Sequence, residues 1–220
     1  MAKNQLTKPT VFLLYGFPGS GKTHFARQFC AEVQAAHLQD DRIRSELFES
    51  PRHDKKENSI VTHLTQYMAE EFLSAGVSVV LDVNVARARD RHFLRELARR
   101  NKAHTVLVWF QMDADSAFSR ISKRDRRKAD DKYSPVIDRQ SFNELVSKMQ
   151  NPTGTEDYIV VSGKHTFSTQ RSAVIKRLYE LSLIQANQVV NAMAMPSMVN
   201  LVPNPSAGRV DPSRRNISIY

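Results

Sequence analysis

Thr10-Val11-Phe12-Leu13-Leu14-Tyr15 runs without a break in apolar character into Gly16-Phe17-Pro18-Gly19-Ser20-Gly21-Lys22-Thr23. The apolar run reads as a strand buried on both faces, as the central strand of a parallel sheet is. Helical spacing starts near Gly21 and continues to about Ala36. The spacing Gly16-x-x-x-x-Gly21-Lys22-Thr23 is that of a phosphate loop, and it has the context such a loop needs, a strand before and a helix after. Glycines allow backbone N–H groups to turn inward around phosphate oxygens, and the helix N-terminus adds a favourable dipole. Lys22 can set its ammonium on the β- and γ-phosphates, and Thr23 can offer its hydroxyl to Mg²⁺. The competing reading is a strand-to-helix turn with an incidental lysine, which leaves the matching context unexplained. The expectation is that Gly16, Pro18, Gly19, Ser20, Gly21, Lys22 and Thr23 bind ATP with Mg²⁺.

Beyond the loop, strands and helices alternate. A short strand, His37 to Asp40, precedes a helix over Asp41 to Glu49, and Lys56 to Ser74 reads as a long amphipathic helix. Val77 to Asp82 is a third strand, followed by a helix over Arg87 to Asn101. Thr105 to Gln111 is a fourth strand and Ala114 to Arg127 a helix. A polar stretch, Lys128 to Pro135, comes before a helix over Arg139 to Met149. Tyr158 to Val161 is a fifth strand, and Thr169 to Ile184 a closing helix. Such alternation predicts a three-layer α/β domain around a parallel sheet. Four of the nine prolines (Pro196, Pro203, Pro205 and Pro212) fall after Asn187, without helical or strand period. The expected organisation is one domain over residues 1–186 and a disordered or loosely docked tail over 187–220.

The chain has 220 residues, 41% of them hydrophobic and 25% charged, as in ordinary globular proteins. Its single cysteine, Cys30, excludes a disulfide framework or a cysteine-only metal cluster and reads as core packing. Met1 to Pro9 lacks a signal-peptide-like apolar stretch, and no segment approaches membrane-spanning length, so the expected setting is cytoplasmic, without membrane contact. The net charge of +9 is concentrated in two places. Arg87 to Lys102 holds seven basic and two acidic residues, and Arg120 to Lys132 seven basic and three acidic. Two readings stand: solvated helix faces, or a rim facing nucleotide phosphates or a nucleic-acid backbone. The oligomeric state is not legible.

Ligands of open α/β sheets bind beyond the carboxyl ends of the strands, which draws attention to three segments. Asp40-Asp41-Arg42-Ile43-Arg44 follows the second strand. Asp41 and Arg44, three residues apart at a helix start, share a face, where the carboxylate can take a proton from a hydroxyl and the guanidinium can hold a substrate anion. Aspartates are also favoured helix caps, so a second reading has one of the pair capping while the other works. Val79-Val80-Leu81-Asp82 has the form of a Walker B element whose acid serves the magnesium site, and Asn84, two residues on, is placed to contact substrate. The alternative for both is capping of the next helix. Arg120, Arg124 and Arg127, at helical spacings, predict a basic face of a lid over about residues 120–138 that closes on a triphosphate. A basic helix C-terminus favoured by the dipole is the plainer reading.

With these elements in order, residues 10–180 resemble the polynucleotide kinase and zeta-toxin branch of P-loop kinases, and look closest to the kinase domain of phage-type polynucleotide kinases. The matching motifs are Gly-x-Pro-Gly-Ser-Gly-Lys, Asp-Asp with a nearby Arg, Asp-x-Asn and Arg-x-x-x-Arg. The resemblance implies a P-loop NTPase fold with a five-stranded parallel sheet, nucleoside-monophosphate-kinase-like, with a short basic lid. It also implies transfer of the γ-phosphate of ATP to a hydroxyl acceptor, a nucleic acid or nucleoside 5′-hydroxyl among the candidates. Asp41 matches the general base, Arg44 the acceptor-side arginine and Arg124 the lid arginine on the transferring phosphate. Arg120 lies one turn earlier, and Asp82 and Asn84 match the end of strand three. The chain departs from the family in its doubled aspartate, which leaves Asp40 and Asp41 as rivals for the base, and in a longer, more charged lid. Zeta toxins and small-molecule kinases share the framework, so a sugar or drug acceptor stays open, as does an ATP-gated nucleic-acid-binding protein without turnover. Val161 to Thr166 sits where such kinases form the adenine side.

Overall fold

A computed structural model describes residues 3–185. Five strands form one wholly parallel sheet in the order β2-β3-β1-β4-β5. They are β1 (Thr10–Gly16), β2 (Ala35–Gln39), β3 (Ser78–Asp82), β4 (His104–Gln111) and β5 (Tyr158–Ser162). β1 lies at the centre, with Leu13 in register with Leu81 of β3 and Leu107 of β4. The helices are α1 (Lys22–Glu32), α2 (Asp40–Leu47), α3 (Lys55–Ser74), α4 (Ala88–Arg100), α5 (Ala114–Ser122), α6 (Arg139–Ser147) and α7 (Phe167–Glu180). The expected sheet is therefore the observed one. The expected tail, 187–220, lies outside the described residues.

Alternate residues of β1 serve opposite layers, as the pleat requires. Phe12 and Leu14 join Phe25 and Phe29 of α1 and Val174 and Leu178 of α7 on one face. Val11, Leu13 and Tyr15 join Ala69 and Leu73 of α3 and Leu94 and Leu97 of α4 on the other. Both faces are fully buried, which is why the β1 sequence is continuously apolar. Cys30 lies in the first of these layers, where burial pushes its thiol up to about 12, so it is an inert packing residue as expected. A third, smaller cluster of Ala117, Ile121 and Phe142 joins α5 to α6, with Phe17 of the glycine-rich turn against it.

Several helix ends differ from expectation, and α7 runs over Phe167–Glu180, short of the expected Ile184. α1 stops at Glu32, short of Ala36, because Ala35 and Ala36 pair with Ser78 and Val79 as the start of β2. α2 starts at Asp40 directly after β2, and its N-cap is Gln39, so neither Asp40 nor Asp41 caps by its side chain. α5 ends at Ser122, five residues before the expected Arg127. The chain beyond forms successive turns, with Lys128 N–H donating to Asp125 O, Asp131 N–H to Lys128 O and Ser134 N–H to Asp131 O. Arg120, Arg124 and Arg127 consequently share no helix face. Arg127 projects into solvent, paired with Asp125.

A buried arginine fixes the loop after β3. Arg91 has no exposed surface, and its Nε and Nη2 donate to the Glu156 carboxylate at 2.9 and 2.7 Å. Its Nη1 reaches the carbonyls of Val85 and Gln150 at 3.1 and 2.9 Å, and its guanidinium covers the Tyr15 ring. Residues 150–156 are thereby tied to α4 and to the central strand, next to the sheet edge that carries the site.

Candidate active site

The glycine-rich turn is shaped by contacts that only glycine permits at two positions. Gly19 has φ +84°, and a Cβ there would stand 2.3 Å from the Ala117 carbonyl oxygen of α5. Gly16 leaves β1 so close to β4 that a Cβ would lie 2.6 Å from the Phe110 carbonyl oxygen. Gly21, at φ +97°, is the N-cap of α1 and provides no side-chain cap, and the first turn holds no acidic residue. The orphan N–H groups of that turn therefore face outward with the positive end of the helix dipole, the arrangement that holds an anion. Ser20 is fully buried, and its hydroxyl has no partner among the described residues.

Lys22 arches back over the turn, its Nζ donating to Gly16 O at 2.8 Å and Phe17 O at 2.9 Å. Burial lowers it to about 8, with Asp82 and Asp41 raising it and Arg124 lowering it further. The same groups recur around Asp41. Burial raises the Asp41 carboxyl to about 6, Asp82 adds to that, and Arg44, Arg124 and Lys22 oppose it. Loop lysine, two acids and lid arginine, from four separated segments, thus lie within electrostatic reach of one another at the carboxyl ends of β1, β2 and β3.

Asp40 and Asp41 are distinguished by their surroundings. The Asp40 carboxylate accepts a hydrogen bond from Thr65 Oγ1 of α3 at 2.7 Å. Burial raises Asp40 to about 6 as well, with the Thr65 hydrogen bond and Arg44 opposing it and Asp41 and Asp82 adding to it. Asp82 ends β3 with Oδ2 buried and without a hydrogen-bond partner among the described residues, 3.5 Å from His37 Nε2 of β2. Among the described residues no group of three or more His, Cys, Asp and Glu could hold a metal ion. The Asp82 oxygen left without a partner is a hard donor of the kind Mg²⁺ takes.

Three expected residues have other neighbours than the sequence suggested. Arg44 is buried, and its guanidinium bonds to Glu57 at 3.3 Å and Asn58 Oδ1 at 2.6 Å of α3, so it does not stand open to an acceptor anion. The local i, i+3 spacing to Asp41 hid these tertiary partners. Asn84 is exposed and accepts from the Ala86 N–H, a local turn, while the cap of α4 is Arg87. Arg120 donates from Nη1 to Gly163 O at 2.7 Å, which ties α5 to the loop after β5.

Gly163 itself was missed. It is buried, and a Cβ there would lie 2.7 Å from the Ser20 carbonyl oxygen, so the β5–α7 loop rests directly on the phosphate-type turn. Its signal was a single glycine in Val161 to Thr166 at the carboxyl end of a strand. The charge on α4 proves largely internal. Arg91 and Arg95 bind Glu156, Arg89 binds Asp90, Arg99 binds Glu96 and Arg100 binds Glu70. The solvated-face reading holds for most of that segment. No helix of the described residues is long and apolar enough to cross a membrane.

No curated protein matches the chain in sequence. Kti12 from Chaetomium thermophilum, in complex with ADP-AlF3, superposes with a TM-score of 0.60 at 17% identity, covering 78% of this chain and 98% of that one. The APS kinase CysC of Mycobacterium tuberculosis, in complex with AMPPNP and APS, gives 0.58 at 18% identity, covering 78% and 98%. An unliganded sugar kinase from Janibacter sp. HTCC2649 gives 0.57 at 16% identity, covering 83% and 98%. At such identities the likeness is one of fold. The family model described as an AAA domain matches residues 11–151, the span that carries the loop, both strand-end acids and the lid arginines. The chain belongs to that AAA domain family, in the α/β fold of the P-loop kinases.

Proposed function

We propose that the protein transfers the γ-phosphate of ATP to a hydroxyl group, with Lys22, Asp41 and Arg124 as its catalytic residues. The observation that carries this reading is the convergence of loop lysine, Asp41, Asp82 and lid arginine described above. The N–H groups at the start of α1 and the Lys22 ammonium hold the β- and γ-phosphates, with Pro18, Gly19 and Ser20 shaping the turn and Arg120 bracing its adenine side. Thr23 and Asp82 would hold Mg²⁺, which would supply positive charge against the polyphosphate. Asp41 takes the proton of the acceptor hydroxyl as its oxygen bonds to the γ-phosphorus and the bond to the β-phosphate oxygen breaks, releasing ADP. Arg124 stabilises the charge spread over the transferring group. Asp41 is preferred to Asp40 because Thr65 engages Asp40, whereas Asp41 shares the field of Lys22 and Arg124. Residues 1–186 form the kinase domain in this reading, with the lid at about 120–138.

The polynucleotide kinase branch remains the favoured kinship. Lid cations Lys123, Arg126, Lys128 and Lys132 have no carboxylate partner within ion-pair distance among the described residues, and they suit a nucleic-acid backbone better than α4 does. One observation favours the alternative of a zeta-toxin-like or antibiotic-type kinase: Arg44 is already neutralised by Glu57, so a neutral sugar hydroxyl loses nothing on that side. Asn84, at the rim, would contact either acceptor through its amide group.

The test is incubation with γ-labelled ATP and Mg²⁺ against 5′-hydroxyl oligonucleotides, nucleosides and sugars. Label appears on one class with the wild type and falls by about 10²–10⁴ in Asp41→Asn, the range of a general base. Unchanged transfer in Asp41→Asn removes the assigned base. Tight ATP binding with no labelled acceptor favours an ATP-gated binding protein instead.

A further inference from the structure

The lid expected to close on a triphosphate carries two adjacent acids, Asp130 and Asp131, that are engaged in opposite directions. Asp130 lies between two side chains of α1, with one carboxylate oxygen 2.8 Å from His24 Nδ1 and the other bonded to the Arg27 guanidinium. His24 immediately follows Thr23, so this contact seats the lid on the first turns of the helix that begins at the phosphate loop. Burial would raise the Asp130 carboxyl, but the bonds from His24 and Arg27 outweigh it and hold it below the ordinary carboxylate range. Asp131 Oδ1 stands 3.5 Å from Arg124 Nε, and Arg124 in turn feels Asp41 and Asp82. Between these points the segment is closed by its own turns, with Arg126 Nη2 donating to the carbonyl of the buried Ser134.

We propose that Asp130 latches the lid to α1 and that Asp131 is a positioning residue that aims Arg124 at the acids before nucleotide arrives. The second half rests on the phosphotransferase reading, and the first half stands without it. A lid already seated spares ATP the entropy of ordering it, so the latch raises the apparent affinity by the fraction of molecules it keeps competent. Because Asp130 is half-buried, the contact is weakened by salt but not abolished.

The experiment compares wild type, Asp130→Asn, Asp131→Asn and the exchanged pair Arg27→Asp/Asp130→Arg. Two readouts are used: trypsin cleavage after residues 123–128 without nucleotide, mapped by peptide mass, and calorimetric binding of Mg²⁺·AMPPNP. Asp130→Asn is expected to speed cleavage about fivefold, the scale of an ion pair at this exposure, and to weaken the analogue by a similar factor. The exchanged pair restores both. Asp131→Asn leaves cleavage at the wild-type rate and weakens the analogue, and it adds nothing once Arg124→Ala is present, a coupling that a merely structural role does not produce. If Asp130→Asn folds poorly, Arg27→Gln tests the same contact from the helix side. Wild-type cleavage rates in both Asp130→Asn and Arg27→Gln overturn the latch. Additive losses for Asp131→Asn and Arg124→Ala overturn the positioning role. A wild type that cleaves slowly but does not bind the analogue upholds the latch and sinks the nucleotide reading and the positioning role with it.

Discussion

Adding one methyl group at Gly163 should cost this protein both stability and nucleotide. In Gly163→Ala the new Cβ would stand 2.7 Å from Ser20 O and 3.0 Å from Met112 Cε, where ordinary contact begins at 3.4 Å. The methionine tip can swing aside, but the Ser20 carbonyl belongs to the turn, so turn and loop must separate by about 0.7 Å, the difference between 3.4 and 2.7 Å. Gly163 has no positive φ, so the effect is steric and not a backbone penalty. Overpacking of this kind costs about 1–3 kcal/mol, read from urea unfolding. Displaced amides lose about one charge-assisted hydrogen bond to phosphate, about 1.5–3 kcal/mol, so ATP affinity should fall by about 10- to 150-fold. Gly154→Ala is the control, with open space around its Cβ and no positive φ, and it should change neither quantity. Wild-type ATP affinity in Gly163→Ala would refute the claim that the β5–α7 loop shapes the phosphate site.

The pH profile should follow the two perturbed groups. Asp41 must be ionised to accept a proton, and Lys22 must be charged to meet phosphate, so kcat/KM should rise through about 6 and fall through about 8. Since bound polyphosphate favours the charged lysine, the upper limb should fade from kcat, and a profile flat from pH 5 to 9 would contradict both assignments. The folded carboxyl of Asp41 sits above its ordinary 3.8, so its stabilising contribution is present below that value and lost as pH rises through about 6. Asp41→Asn should therefore melt higher than wild type at pH 7.5, with the gap closing near pH 4. Breaking the Arg91–Glu156 pair by Glu156→Gln leaves a fully buried cation and should cost about 3–5 kcal/mol in urea unfolding, whereas the apolar pair Arg91→Met/Glu156→Leu should cost less than the summed single changes.

The parts of this molecule that were legible are those in which neighbours along the chain carry the cause. The β1 run is apolar because both its faces are covered, and the glycine spacing follows from a turn that passes close to β4 and α5 before a helix start, so fold and turn were readable together. Asp82 was readable because a strand end in a parallel sheet has one place to point. What remained hidden was decided by partners distant in sequence. The apolar Ala35 and Ala36 extend a helical pattern until Ser78 and Val79 claim them for the sheet. The run Lys123 to Arg127 looks helical, but Asp130, bonded to His24 and Arg27, and Asp131, beside Arg124, hold the segment in turns against α1. Arg44 looks like the companion of Asp41 because Glu57, thirteen residues on, cannot be placed beside it without the α2–α3 packing. The basic character of α4 suggested an anion surface, and only the fold brings Glu156 and Glu70 to it.

Titration of the protein with ATP in a calorimeter, with and without Mg²⁺, tests most directly whether the turn at residues 16–23 is a triphosphate cradle. Saturable, Mg²⁺-dependent heat should appear with the wild type and weaken by about 10–100-fold in Lys22→Ala, the loss of one charged donor to phosphate. No heat with the wild type, or equal affinity in Lys22→Ala, would contradict it.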